Sequence, residues 1–146
     1  MKKIAIAMLA CWALIQVRAG EVEWVTDAPK AQAKAKEEGK LVMLDFTGSD
    51  WCGWCIKLNK EVFSQPEFVE YAQKNLVSVE VDFPRRKKLS QEQQEANTAL
   101  QEKYKIDGYP TIIVLDGGGK QVGQLGYMEG GPKAFIAALE KLKKKA

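Results

Sequence analysis

Histidine is absent from this sequence of 146 residues, and cysteine occurs three times, as Cys11, Cys52 and Cys55. A closed structural zinc site needs about four ligands, mostly from Cys and His. Cys52 and Cys55 would therefore have to borrow ligands from a second chain to hold a metal ion. We expect no metal ion and no other cofactor in this protein.

The sequence also lacks an apolar run long enough to span a bilayer. The almost wholly apolar stretch at residues 4–17 has 14 residues, whereas a transmembrane helix needs about 20. This stretch follows Lys2 and Lys3 and leads to the small residue Ala19, which is the pattern of a secretory signal peptide. We predict a signal peptide over residues 1–19, a mature domain over residues 20–146, and export, most simply to a bacterial periplasm.

Two other roles for the first 19 residues remain open. The stretch is an uncleaved membrane anchor, or Cys11 carries a lipid anchor, because Met8-Leu9-Ala10-Cys11 loosely resembles a bacterial lipoprotein signal. That match is incomplete, since Met8 stands where Leu is usual and the apolar run before it is short.

An excess of positive charge is missing once residues 1–19 are removed. The cut takes away Lys2, Lys3 and Arg18 and no acid, so the formal net charge falls from +3 to zero. The charge balance therefore gives no reason to expect a nucleic acid partner. The basic run at residues 85–88 is predicted to be a solvated loop.

Apolar periodicity and capping residues predict a single α/β domain. Asp27 before Pro29 marks a helix start, and Gly39 is suited to end that helix. Asp45 interrupts an apolar run that is typical of a strand buried on both faces. The glycines at 117–119 join two strands, so they are turn residues rather than a phosphate-binding loop. The predicted helices cover residues 28–38, 52–63, 66–71 (separate from the one before it or the same helix resumed), 91–104 and 131 onward, and the predicted strands cover residues 41–46, 76–83, 111–115 and 121–127.

Cys52 and Cys55 stand two residues apart in "WCGWC", at the start of a predicted helix. A structural disulfide is one explanation in an exported protein. A bridge across two residues, however, closes a very small loop and stabilises the fold little. Thiol–disulfide exchange needs a thiolate, which a helix N-terminus stabilises. The pattern favours a redox pair in which Cys52 attacks and Cys55, on the apolar face, resolves the mixed disulfide.

The order of elements and four motifs resemble the thioredoxin family. The motifs are "LDF" seven residues before the first cysteine of the pair, "WCGWC" opening a helix, "GYPT" opening a strand, and a glycine-containing hairpin before the final helix. The resemblance covers residues 24–146 and implies an α/β thioredoxin fold, a central mixed β-sheet with helices on both faces. "DFTGSDWCGWCIKL" with "EVFSQPEF" is most similar to small exported bacterial thioredoxin-like proteins.

The chemistry of the second cysteine calls for a base, because burial raises the pKa of a thiol such as Cys55. The resemblance implies that Asp45 is this base, although "TGSDWC" has one residue more than the thioredoxin pattern and leaves the distance to Cys55 open. The alternative is that Asp45 is a strand-end acid facing solvent. Ser78 matches the place where thioredoxins commonly carry a lysine near this acid.

The resemblance also implies a substrate-binding side. Pro110 in "GYPT" matches the cis-proline that faces the dithiol, and Tyr109 would present backbone groups to an extended substrate segment. Trp51 is either an apolar landing surface for substrate or a packing residue. Gly53 and Trp54 replace the Gly-Pro of reducing thioredoxins and the Gly-His of isomerases, so they tune the redox potential without fixing its direction.

These features predict an exported thiol–disulfide oxidoreductase that exchanges disulfides with protein substrates. We expect the reductase direction, because no residue supplies the cationic stabilisation typical of a strong oxidant. The alternatives are an oxidant or isomerase, and a non-catalytic thioredoxin-fold binding module or holdase. The expected partners are protein thiols and disulfides and a membrane or soluble thiol electron donor, with no nucleic acid, and we expect a monomer.

Overall fold

The computed structural model describes residues 20–146, so the predicted signal peptide and Cys11 lie outside the described residues. The described part of the chain contains five strands, five α-helices and one π-helical segment. In chain order the elements are β1 (Trp24–Val25), α1 (Ala28–Glu38), β2 (Leu41–Thr47), α2 (Gly53–Leu58), a π-helical segment (Asn59–Phe63), α3 (Pro66–Asn75), β3 (Leu76–Asp82), α4 (Gln91–Lys103), β4 (Thr111–Leu115), β5 (Gln121–Leu125) and α5 (Gly131–Lys143).

The five strands form one mixed sheet in the order β1-β3-β2-β4-β5. Strands β1, β3 and β2 run parallel to one another, β4 runs antiparallel to β2, and β5 runs antiparallel to β4. The central strand β2 is buried along its whole length. The predicted mixed sheet is therefore confirmed, with the Asp45 strand at its centre.

Apolar clusters lie on both faces of the sheet. On one face Met43 of β2 belongs to a cluster with Phe68 of α3 and Phe135 of α5. On the other face Leu44 belongs to a cluster with Ala35 of α1. Neighbouring strand residues point to opposite faces, so β2 contributes to both clusters. Helices flank both faces, as predicted.

Helix α1 has the predicted bounds and the predicted caps. The Asp27 side chain accepts a hydrogen bond from the backbone N–H of Lys30 at 3.0 Å, and Pro29 lies in the first turn. Gly39 ends the helix with φ +66°, a left-handed conformation that glycine adopts without a steric penalty.

Several elements differ from the prediction: the helix predicted over residues 52–63 is α2 followed by the π-helical segment, and the helix predicted over residues 66–71 extends to Asn75. The sequence does not predict β1, because two residues are too few to show a period. The helix at Pro66 is separate from α2, since Gln65 before it has extended backbone angles (φ −80°, ψ 136°). The last strand, β5, ends at Leu125 rather than at residue 127.

Candidate redox site

Cys52 and Cys55 are joined by a disulfide at the start of α2. Cys52 is the N-cap of this helix, with φ −82° and ψ 107°, and its Sγ accepts a hydrogen bond from the backbone N–H of Cys55 at 3.2 Å. A tight turn leads into the site, since the N–H of Cys52 donates to the carbonyl of Gly48 at 2.8 Å. The two cysteines are 7% and 5% exposed. An N–H of the first helical turn therefore already points at the sulfur where a thiolate would form.

Asp45 on the central strand β2 is buried, with 7% of its surface exposed. It lines a cavity of about 530 Å³ together with Cys55 and Glu80. Its Oδ1 is buried and has no hydrogen-bond partner among the described residues. Burial, with a smaller contribution from the negative charges of Glu80 and Asp82, raises the pKa of Asp45 to about 8. The alternative of a solvent-facing acid is wrong, and at pH 7 this carboxyl is mostly protonated.

Trp51, the residue before the pair, is held by three contacts. Its Nε1 donates to the carbonyl of Phe83 at 2.8 Å. The Arg85 guanidinium lies 3.8 Å from the centre of its ring, and its edge meets the Tyr109 ring at a centroid distance of 6.0 Å. Trp51 is half-buried, so it packs against the fold and also borders the Tyr109 side of the site.

Trp54, between the cysteines, is 57% exposed, and Ile56 on the same helix is 50% exposed. The Trp54 ring packs against Tyr127 at a centroid distance of 4.9 Å, and the Lys57 Nζ lies 5.0 Å from the centre of the Trp54 ring. Gly53 is exposed as well. A cation thus lies over the ring of each tryptophan in the motif, Arg85 over Trp51 and Lys57 over Trp54.

The Tyr109–Pro110 peptide bond is cis. The Tyr109 ring stacks on Phe83 with an interplanar angle of 27° and a centroid distance of 5.4 Å. Its hydroxyl donates to Gln101 Oε1 at 3.2 Å. The chain around Pro110 is therefore tied to both Trp51 and Phe83, and it adjoins the turn that leads to Cys52.

The fold is that of a known family. A family model of the thioredoxin-like domain matches residues 28–143. The chain belongs to the thioredoxin-like family. The structure has the cysteine pair, the mixed sheet and the flanking helices that the resemblance to this family implies.

The relatives of this thioredoxin-like protein include thiol–disulfide oxidoreductases. It is 36% identical over 124 residues to the disulfide bond reductase DsbH of Chlamydia pneumoniae, covering 85% of this chain and 74% of the relative. It is 33% identical over 105 residues to the thioredoxin-related protein DsbJ of Chlamydia pneumoniae, covering 72% of this chain and 30% of that protein. A solved structure of a DsbH oxidoreductase matches with a TM-score of 0.81 and 35% identity, covering 90% of this chain and 92% of that one. These likenesses establish a thioredoxin-like oxidoreductase.

The residue in register with Asp45 on the neighbouring strand is Glu80. In the parallel pairing of β2 with β3, Asp45 is in register with Glu80, whereas Ser78 is in register with Met43. Burial, and next the charge of Asp82, raise the pKa of Glu80, while Lys87 opposes the shift. The negative charge of Glu80 adds to the effect of burial and favours the neutral form of the Asp45 carboxyl.

Glu80 and the contacts of Trp51 are the functional features that the sequence does not predict. The alternation in "LVSVEVDF" places Ser78 and Glu80 on the same face of β3, but it does not say which of them meets Asp45. The partner is set by the register between two strands that lie far apart in the chain.

Replacing Gly48 by Ala should lower the free energy of unfolding by about 1 to 3 kcal/mol. A Cβ at Gly48 would lie 2.6 Å from Trp51 Nε1 and would overlap the indole ring. Gly53→Ala is the matched control, because a Cβ there meets nothing within 4 Å. Urea unfolding of both variants measures the difference. Equal midpoints would show that the Trp51 side chain does not need a glycine at position 48 to pack as it does.

Proposed function

We propose that this protein is an exported thiol–disulfide reductase in which Cys52 attacks substrate disulfides and Cys55 resolves the mixed disulfide. The observation that carries the proposal is the position of Cys52 as the N-cap of α2, next to a buried acid that shares a cavity with Cys55. The reductase direction is supported by the relative that is named a disulfide bond reductase.

The reaction starts from the dithiol form. The Cys52 thiolate attacks one sulfur of a substrate disulfide, a bond forms between Cys52 and that sulfur, and the other substrate sulfur leaves as a thiolate. The Cys55 thiol then gives its proton to the Asp45 carboxylate and attacks the Cys52 sulfur. The second substrate thiolate leaves and the enzyme disulfide forms. Two electrons have passed to the substrate, so a thiol electron donor must reduce the enzyme before the next cycle.

Asp45 returns this proton when the enzyme is reduced again. In the disulfide form its pKa is raised to about 8 by burial, so the carboxyl holds a proton at pH 7. When the electron donor attacks the Cys52 sulfur, Cys55 leaves as a thiolate and takes the proton from Asp45. The same group thus acts as base in one half of the cycle and as acid in the other.

The substrate contacts the surface around Cys52 that consists of Trp51, Gly53, Trp54, Tyr109 and Pro110. The edge contact between Trp51 and Tyr109 supports a continuous surface on one side of the pair. The exposed Trp54 ring supports an apolar contact on the other side. An extended substrate segment would lie along Tyr109 and Pro110 with its disulfide at Cys52.

Two assays in opposite directions test the proposed direction. In the first, the protein reduces the interchain disulfides of insulin with dithiothreitol as electron donor, followed by turbidity. In the second, the oxidised protein forms disulfides in a reduced, unfolded test protein, followed by alkylation. We expect a large excess of the first activity, lost in Cys52→Ser. Faster oxidation than reduction would overturn the proposed direction.

Export by residues 1–19 is part of the proposal. None of the helices in residues 20–146 is long and apolar enough to cross a membrane. The mass of the protein made in a bacterial host with a secretion system should correspond to a chain that begins at Gly20. A mass that retains Met1, or that carries a lipid on Cys11, would contradict a cleaved signal peptide.

A binding module or holdase is the second candidate, because Trp54 and Ile56 expose two large apolar side chains beside the disulfide. The double variant Cys52→Ser with Cys55→Ser separates the two functions. We expect it to lose disulfide reduction. Full suppression of aggregation of an unfolded test protein by this variant would favour the binding module.

A further inference from the structure

A basic loop lies beside the redox site because Asp50 holds its backbone. The Asp50 carboxylate accepts hydrogen bonds from the backbone N–H groups of Arg85 at 2.9 Å, Arg86 at 2.8 Å and Lys87 at 3.1 Å. Asp50 belongs to "TGSDWC", two residues before Cys52. The loop after β3 is therefore fastened to the turn that carries the attacking cysteine.

Side-chain contacts extend this attachment toward the substrate surface. The Arg85 guanidinium lies 3.8 Å from the centre of the Trp51 ring. The Trp51 indole donates to the carbonyl of Phe83, and the Phe83 ring stacks on Tyr109. The loop, Trp51 and the segment before Pro110 thus form one continuous surface.

The charges of this loop face solvent, and few of them are neutralised. Its four cations, Arg85, Arg86, Lys87 and Lys88, are all exposed, and we call them the basic rim. Lys87 pairs with Asp82 at 2.9 Å. Within residues 20–146, Arg86 and Lys88 form no ion pair. Arg86 and Lys88 therefore stand next to the site without an ion pair, in a part of the chain, residues 20–146, whose formal net charge is zero.

We propose that the basic rim binds acidic residues that flank the disulfide of the substrate, so that this oxidoreductase prefers disulfides in Asp- and Glu-rich segments. The inference rests on the proposed exchange reaction at Cys52. A segment that lies along Tyr109 and Pro110 with its sulfur at Cys52 brings its flanking residues against Trp51 and the rim. Exposed charges of opposite sign mainly raise the association rate, and at physiological ionic strength salt screens the attraction between charges more than about 8 to 10 Å apart.

Three synthetic peptides with the same disulfide test this preference. Their flanking residues are Asp and Glu in the first, Lys in the second, and Ser in the third. With dithiothreitol as electron donor, we expect kcat/KM for the acidic peptide to exceed that for the basic peptide by about tenfold at low salt. The preference should fall to about twofold in 0.5 M NaCl.

The variant Arg86→Gln with Lys88→Gln should reduce the preference to less than about threefold, without changing the rate for the Ser-flanked peptide. The control variant Lys144→Gln with Lys145→Gln removes the same charge elsewhere and should keep the full preference. These residues follow α5, whose Lys143 donates to Asn75 at 2.8 Å just before β3 starts, whereas the basic rim follows the end of β3.

Each outcome has a distinct meaning. Equal rates for the acidic and basic peptides, with normal turnover of the Ser-flanked peptide, would overturn the basic rim alone. An equal loss of preference in the control variant would overturn it too, since overall charge would then be the cause. No turnover of any peptide would instead overturn the proposed exchange reaction.

Discussion

Asp45→Asn should stabilise the oxidised protein at pH 7 and above. The pKa of Asp45 is raised from 3.8 to about 8 in the folded state, chiefly by burial. The folded state therefore binds this proton more tightly than the unfolded chain. At pH 7 the unfolded chain ionises while the folded carboxyl keeps its proton, so the wild-type protein is less stable than below pH 4 by on the order of 4 kcal/mol. Because the Asn amide is itself polar and buried, we expect a net gain of about 2 kcal/mol or more.

The free energy of unfolding of the wild-type protein should decrease with rising pH. The stability of the wild-type protein should be full below about pH 4 and should fall as the pH rises toward 8, where Asp45 ionises in the folded state. The Asn variant should lack this part of the decline. Urea unfolding between pH 4 and pH 9 measures both curves. Asp107→Asn, at an exposed position, is the control and should change the stability by less than about 0.5 kcal/mol. Parallel curves for wild type and Asp45→Asn would contradict a buried, neutral Asp45.

Cys55→Ser should trap the substrate as a covalent adduct. Without the second thiol, the mixed disulfide formed by Cys52 has no internal route to resolution. Mixing this variant with an excess of a peptide disulfide should give a product heavier by one half of that disulfide, as measured by intact mass. The multiple-turnover rate should fall by more than about a thousandfold.

Cys52→Ser is the matched control, since it keeps one thiol of the same pair. Cys55 lies within α2 rather than at its N-cap, so its sulfur lacks the N-terminal position that stabilises a thiolate, and we expect this variant to form little adduct. Reversed behaviour, with the adduct on Cys55 and none on Cys52, would mean that the two roles are exchanged.

Features that depend on residues close together in the chain can be predicted from the sequence. Asp27, Pro29 and Gly39 mark the ends of α1 because capping is local, and the structure has these caps. The position of the cysteine pair at a helix start can also be predicted, because the turn residues and the helical apolar face both lie within a few residues of it. Asp45 stands out as an acid in an apolar run, and its burial follows from that run.

The remaining features depend on contacts between distant parts of the chain. Glu80 meets Asp45 only through the register of β2 and β3. Asp50 reads as a turn residue, yet it binds a loop 35 to 37 residues away. The run at 85–88 is solvated, as predicted, but composition does not place it beside Trp51. Local patterns thus predict most helices and strands and the cysteine pair. The residues that surround the pair are set by contacts between distant parts of the chain.

The equilibrium reduction potential of Cys52–Cys55 in the folded mature protein is the most direct measurement of whether this pair exchanges electrons as a reductase. The titration uses dithiol or glutathione buffers, the mass shift after thiol alkylation reports the reduced fraction, and circular dichroism reports the fold. We predict rapid, reversible reduction with the fold retained and a potential near or below about −250 mV. A potential above about −180 mV would contradict the reductase direction, and a bridge that is reduced only when the protein unfolds would contradict a redox role altogether.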